Sequence, residues 1–366
     1  MKFRVSRDVL ADAVAWAARV LPSRPVVPVL SGLLIEASDE LSLAAFDYDV
    51  SAQARVEADV AEPGKVLIPG RLLAEISRSL PTEDVQIVTE GAEAILTCGS
   101  AEFGLITMPV DDFPTLPTMP PGIGAIGGGV FASAVTQVAP ASSRDDTLPM
   151  LTGIRVDIEG ENVAMAATDR YRIAARDFTW RPARPDVAVS AMVPARVLVE
   201  VAKSLRGGEV LIAMGDGVAG FESVGRSTTV RLLDEQFIDY RTRLTADWSI
   251  RADVRVTPFV EAIKRVALVA ERNTAIRLTF SKNQVLIQAG GGDIGRGTEV
   301  VDCELRGGDD IQMAFQSHFL LDGLTGVETE LARINMESST RPALIQDVPG
   351  DAEPEFRYLV MSLRQG

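Results

Sequence analysis

Residues 69–80 read PGRLLAEISRSL, and residues 194–205 read PARVLVEVAKSL. Pro69, Arg71, Leu73, Glu75 and Leu80 reappear 125 residues on as Pro194, Arg196, Leu198, Glu200 and Leu205. Both stretches predict helices. Proline is tolerated in a first helical turn, where its missing N–H has no intrahelical partner to lose. Leucines and β-branched residues at three- and four-residue spacing then form one apolar stripe. Arg71 with Arg78, and Arg196 with Lys203, are seven residues apart and share a face off that stripe. A fainter copy is Gln316–Leu324, with Leu320 and Asp322 at the matching places. A helix that recurs at such a period makes the chain an array of repeated units.

The flanking sequence follows the same period. PMLTGIRVDIEGENVAMAATD from Pro149 matches PVLSGLLIEASDELSLAAFD from Pro28. Pro28, Leu30 and Gly32 map onto Pro149, Leu151 and Gly153, Asp47 onto Asp169, and Phe113 onto Phe237. The opening KFRVSRDVLADAVAWAARVL predicts a short strand running into a helix capped by Ser6. FPTLPTMPPGIG, dense in proline and glycine, predicts a linker. The chain of 366 residues thus divides into units of 1–125, 126–246 and 247–366, the third with much weaker internal similarity. Each mixes two helices with about eight strands, so the fold class is α+β.

The net charge of −15 argues by itself against a nucleic-acid partner, because phosphates call for a basic footprint. Distribution matters more than the total. The candidate helices are residues 7–20, 69–80, 131–139, 194–206, 257–272 and 316–326. They hold ten basic and seven acidic residues, a net +3, which leaves −18 for the rest of the chain. Positive charge is gathered on helices, and negative charge on strands and turns.

Several chemistries are disfavoured. The one histidine, His318, lies inside a predicted helix with no nucleophile signature around it. Asp111–Asp112, Asp145–Asp146 and Asp309–Asp310 lack a third ligand at useful spacing and read as solvated turn carboxylates. GIGAIG at Gly122–Gly127 formally matches G-x-G-x-x-G, but it follows a proline-rich linker rather than a strand. GGGDIGRG at Gly290–Gly297 lacks the Lys-Ser/Thr of a phosphate loop. Both predict turns. Cys98 and Cys303 read as buried reduced thiols. With no long apolar run and no signal-peptide pattern, the chain is expected to be soluble and cytosolic. No metal, no cofactor and no active site is expected.

ATDRYRIA at Ala167–Ala174 crowds Thr168, Asp169 and Arg172 at the end of an apolar strand. A capped turn would explain it. The C-terminal FRYLVMSLRQG is apolar at five of six positions from Tyr358 to Leu363. Such a terminal run must pack somewhere. Laid beside Thr168–Ile173, it would line an apolar groove with polar edges, suited to short peptides.

From end to end the chain resembles the bacterial sliding clamps, the beta subunits of the replicative DNA polymerase III holoenzyme. The likeness rests on KFRVSRD, RPVVPVLSGLLIEA, IPGRLL, DDFPTLP, RDDTLPMLTGIRV, ATDRYRIA and the terminal YLVM-x-x-R. The DDTLPMLTGI and TDRYR wording resembles actinobacterial members. The resemblance implies a subunit of three clamp domains that pairs head to tail into a closed ring, helices lining the hole and sheets outside. It implies duplex-DNA contacts at Arg24, Arg71, Arg196, Lys203, Lys264, Arg265 and Arg272. It implies a peptide groove at Leu151, Thr168, Arg170, Tyr171, Arg172, Ile173, Ile238, Thr242, Arg243, Pro342, Leu359, Val360, Met361, Ser362, Leu363 and Arg364. Polymerases, the clamp loader and repair proteins would insert a short apolar motif there. It implies dimer contacts at Phe103, Leu268 and Val269, for which ordinary core is an equal reading.

Three departures cluster in the groove. Ile238 stands where the family commonly has proline, Arg243 where an apolar residue is usual, and Ser362 where proline is usual. Such changes alter shape, add a charge and free the backbone. The leading expectation is a processivity clamp without its own active site. A specialised copy, whose altered groove escapes a clamp-blocking peptide antibiotic, is the alternative. A nucleotide-dependent enzyme using Gly122–Gly127 is a distant third.

Overall fold

The computed structural model of the chain describes residues 1–270, 275–290 and 295–363. Among the described residues six helices exceed two turns: α1 (Arg7–Ala17), α2 (Gly70–Ser79), α3 (Gly128–Val138), α4 (Ala195–Ser204), α5 (Val256–Ala267) and α6 (Ser317–Thr325). Antiparallel pairings build the sheets. The expected α+β class and the repeated helices therefore hold, with small shifts at the ends. Pro69 and Pro194 close the preceding strands at the N-cap rather than entering the first turn. Ser6 stands at the N-cap of α1, but its hydroxyl makes no capping bond.

By packing, the chain divides into two compact units that cut across the sequence repeats. One joins residues 1–129 to 203–232; the other joins 130–202 to 233–366. In the first, strands Glu209–Gly215, Val218–Ser223 and Arg226–Arg231 of the second repeat extend the sheet of the first, through Arg226–Arg231 on Val50–Val56. In the second, strands of the third repeat extend the sheet of the second, through Phe356–Val360 on Arg172–Thr179. Each repeat alone leaves a sheet edge with unpaired N–H and C=O groups, and the next repeat covers it.

Within each unit the helices lie with their apolar stripes down. Leu73 and Ile76 of α2, and Phe259, Ile263 and Val266 of α5, are buried. Burial of side chains of this size stabilises by about 1.5–3 kcal/mol each. Arg71, Arg78 and Lys264 lie on the opposite, exposed faces.

The glycine-rich stretch Gly122–Gly127 is a strand, not a turn. It pairs with Glu209–Gly215, Ala125 opposite Leu211 and Ile126 opposite Val210. The repeat period explains this correction. Residues 122–127 occupy the place in the second repeat that Lys2–Ser6 occupies in the first, each running directly into a helix. Ala125 and Ile126 supply the buried contacts that the glycines lack. The expected boundary after Ala125 therefore falls inside a strand, and α3 starts at Gly128, three residues before the expected Phe131. An extended backbone cannot form the glycine turn of a dinucleotide site, so the nucleotide reading loses its only motif. Residues 291–294 of the second glycine-rich stretch lie outside the described residues.

Candidate peptide groove and nucleic-acid interface

The ATDRYRIA stretch forms a hairpin turn between strands Asn162–Thr168 and Arg172–Thr179. Asp169 builds the turn: its Oδ1 accepts the backbone N–H groups of Tyr171 (3.0 Å) and Arg172 (3.1 Å). The Thr168 hydroxyl donates to the Arg172 carbonyl at 2.7 Å. Arg170 is driven to φ +80°, a left-handed conformation that costs a non-glycine residue about 1–2 kcal/mol. The first repeat makes the same turn, with Asp47 Oδ1 accepting from Asp49 and Val50 and Tyr48 at φ +75°. The capped turn expected of this stretch is thus present.

The C-terminal run lies beside it as anticipated: Ile173 faces Leu359, and the Met361 N–H donates to the Tyr171 carbonyl at 2.9 Å. Ile173 and Leu359 join Ala166, Ala175, Tyr240, Leu244 and Leu344 in one buried apolar cluster. Phe237, Ile238 and Trp248 pack against it, half-buried. Residues 237–248 therefore cross the sheet face where strands Arg172–Thr179 and Phe356–Val360 meet, and form one wall of the apolar cluster. Burial pushes the Tyr240 hydroxyl up to about 12.

The other expected groove residues divide by exposure. Arg170, Tyr171, Thr242, Arg243 and Met361 are exposed; Pro342, Ser362 and Leu363 are half-buried; Leu151, Thr168 and Val360 are buried. The Ser362 hydroxyl donates to the Arg341 carbonyl at 2.9 Å, so the serine adds a tether. Arg364 lies outside the described residues. Tyr240, Leu244, Leu344, Ala166 and Ala175 were not anticipated from sequence. The four-residue spacing of Tyr240 and Leu244 was the signal that one helical turn could present both.

Arg172 is not a rim residue. Its side chain is buried, with Nε on Asp169 at 2.9 Å, Nη1 on Asp322 and on the Tyr358 hydroxyl at 3.1 Å, and Nη2 on the Pro140 carbonyl. Its guanidinium also sits 4.4 Å from the Phe319 ring centre. Burial works against its charge, yet Tyr358, Asp322 and Asp169 hold its pKa above the ordinary arginine value. Tyr171 stacks on Phe319 with ring centres 6.0 Å apart. Arg172 thereby pins the turn and the C-terminal strand to α6.

The matching place in the first repeat is polar rather than apolar. Ser51 and Thr229 occupy the positions of Ile173 and Leu359 and hydrogen-bond each other at 2.6 Å. Gly220 lies across from Thr229, and a Cβ there would come 2.0 Å from Met119 Sδ. The proline-rich linker thus covers this sheet face with its own methionine.

Of the expected phosphate contacts, Arg24, Arg71, Arg196, Lys203 and Lys264 are exposed. Arg71 donates to the Leu21 and Pro22 carbonyls at 3.3 and 3.2 Å, which braces the segment that carries Arg24. Arg265 is half-committed elsewhere, bidentate to Glu299 at 3.0 and 2.5 Å. Arg272 lies outside the described residues. Phe103 is 38% exposed on the edge strand Ala101–Ile106, and Leu268 is 83% exposed. That exposure excludes ordinary core for both; Val269 is half-buried.

Family models for the DNA polymerase III beta subunit match the chain in three consecutive parts. The N-terminal domain matches residues 1–117, the central domain 125–239 and the C-terminal domain 244–364. The chain belongs to the DNA polymerase III beta subunit family. The beta sliding clamp of Streptomyces coelicolor is 50% identical over 374 residues, covering 100% of this chain and 99% of the relative. A "beta sliding clamp homolog GriR" from Streptomyces muensis is 42% identical, with the same coverage. A crystal structure of the Pseudomonas aeruginosa sliding clamp bound to griselimycin superposes with a TM-score of 0.92 at 28% identity, covering 100% of both chains. The actinobacterial resemblance and the three clamp domains are thereby established. Among the described residues no group of three or more His, Cys, Asp or Glu could hold a metal ion. No helix among them is long and apolar enough to cross a membrane.

Proposed function

We propose that this clamp-family chain pairs head to tail with a second copy to form a closed ring around duplex DNA, tethering the replicative polymerase and other replication and repair proteins. The observation that carries the reading is the helix faces: at repeated positions, basic side chains stand on the exposed side of helices whose apolar stripes are buried. Arg24, Arg71, Arg196, Lys203, Lys264, Arg265 and Arg272 would meet phosphates. Contacts of this kind position without reading sequence, and they weaken with salt, as sliding requires. Topological closure then replaces tight binding. Phe103, Leu268 and Val269 would form the subunit contact.

The groove around Ile173 and Leu359 would take a short apolar peptide segment from each partner. The protein would act as a processivity factor with no active site of its own, in the cytoplasm, with three domains, the second opening with the strand Gly122–Gly127 and the third at residue 247. Identity to the Streptomyces coelicolor clamp exceeds that to GriR, which favours the replicative reading over a specialised copy. The test uses circular DNA. Protein loaded onto a closed circle should co-elute with it through a high-salt gel-filtration column and be released when the circle is cut once. Retention on the linear product would overturn the reading.

A further inference from the structure

We infer that the groove selects peptides carrying acidic residues beside their apolar anchors, and that Arg170, Arg241 and Arg243 make this selection. The inference rests on the groove reading above. On a chain of net charge −15, three exposed arginines border one apolar cluster. Arg170 stands at the tip of the turn that leads into Ile173, a cluster residue. Arg241 and Arg243 flank Leu244 on the single turn Arg241–Leu244, and the Arg241 guanidinium lies 5.4 Å from the Tyr240 ring centre. Tyr240 and Leu244 both belong to the cluster.

None of the three arginines makes an ion pair among the described residues. Two carboxylates close by in sequence or field face threonines rather than these arginines. Asp239 accepts the Thr242 hydroxyl at 3.0 Å, and Asp145, which feels Arg170 weakly, accepts the Thr147 N–H and hydroxyl at 3.0 and 2.7 Å. Arg172 shows the contrast, since its charge is consumed inside the fold. Arg170 occupies the left-handed position of the turn with its side chain exposed, as Tyr48 does in the first repeat. Unpaired cations around an apolar patch favour carboxylates on the incoming segment and repel a basic one.

The experiment compares two nine-residue peptides by fluorescence anisotropy on the full-length protein. Both carry the same Leu-Phe core; one has Asp and Glu flanks, the other Asn and Gln. At about 50 mM salt the acidic peptide should bind about five- to tenfold more tightly, and the gap should close near 0.5 M. Arg170→Gln/Arg241→Gln/Arg243→Gln should abolish the preference, the two peptides then binding the variant within about twofold of each other. The triple change Arg184→Gln/Arg277→Gln/Arg306→Gln, which removes the same charge from other exposed sites, should leave it intact. Equal binding of the two peptides to the parent protein overturns the inference and spares the groove. A preference that survives the first triple change also overturns it. Binding of neither peptide overturns the groove reading and this inference together.

Discussion

Arg172 and Val50 stand at matching places in two copies of the same turn, and both are buried. The arginine therefore needs partners where the valine needs none. Asp169, Asp322, the Tyr358 hydroxyl and the Pro140 carbonyl provide them, drawn from four separate stretches of chain. Removing one member of a buried charge set leaves the others uncompensated. Arg172→Met should lower stability by about 3 kcal/mol, read as a shift in the urea midpoint. The exposed neighbour Arg170 should tolerate Arg170→Gly without loss, because glycine relieves the positive φ. Cys303 makes a second case at this scale. Burial pushes its thiol up to about 11. The folded state disfavours the thiolate, so this group contributes nothing adverse below the free thiol value near 8.5 and opposes folding progressively as pH rises from there towards 11. At pH 8 a thiol reagent such as DTNB should leave Cys303 unmodified until the protein is unfolded in guanidinium; rapid native labelling would refute the assignment.

Among the elements, the two connectors between repeats diverge most in consequence. Residues 113–121 lay Met119 onto Gly220, while residues 237–248 fold a helical turn that presents Tyr240 and Leu244. One sheet face is covered by its own linker, and the other becomes an apolar cluster with an exposed basic rim. Gly220→Leu should expel Met119 and free the linker, because no side chain fits within 2.0 Å of the sulfur. Limited trypsin-independent proteolysis, for instance with elastase, should then cut within residues 114–121 several times faster than in the parent. Unchanged cutting would show that the linker is held by other contacts.

For the molecule as a whole, the prediction concerns assembly. Leu268 is 83% exposed and Phe103 sits on a sheet edge, so a polar change at either has little folding energy to lose. Leu268→Asp should halve the mass measured by light scattering and leave the circular dichroism spectrum unaltered. An unchanged mass would remove Leu268 from the proposed subunit contact.

What the amino-acid sequence determined by itself was local or repeated. The helices at residues 69–80 and 194–205, their apolar stripes, the basic residues off those stripes and the Asp47/Asp169 turns all follow from spacing between near neighbours, and the 125-residue echo marks them twice. Only the tertiary structure decided what depends on distant partners. Gly122–Gly127 is a strand because Glu209–Gly215 pairs with it, despite glycines that locally favour a turn. Arg172 is buried because Asp322 and Tyr358 reach it from the third repeat. The apolar cluster around Ile173 and Leu359 lies where it does because a strand ending at Val360 pairs in register with one starting at Arg172. Periodicity along a chain reports which face a residue takes, but not which remote segment will cover that face; that is settled by which sheet edges would otherwise be left with unpaired backbone groups.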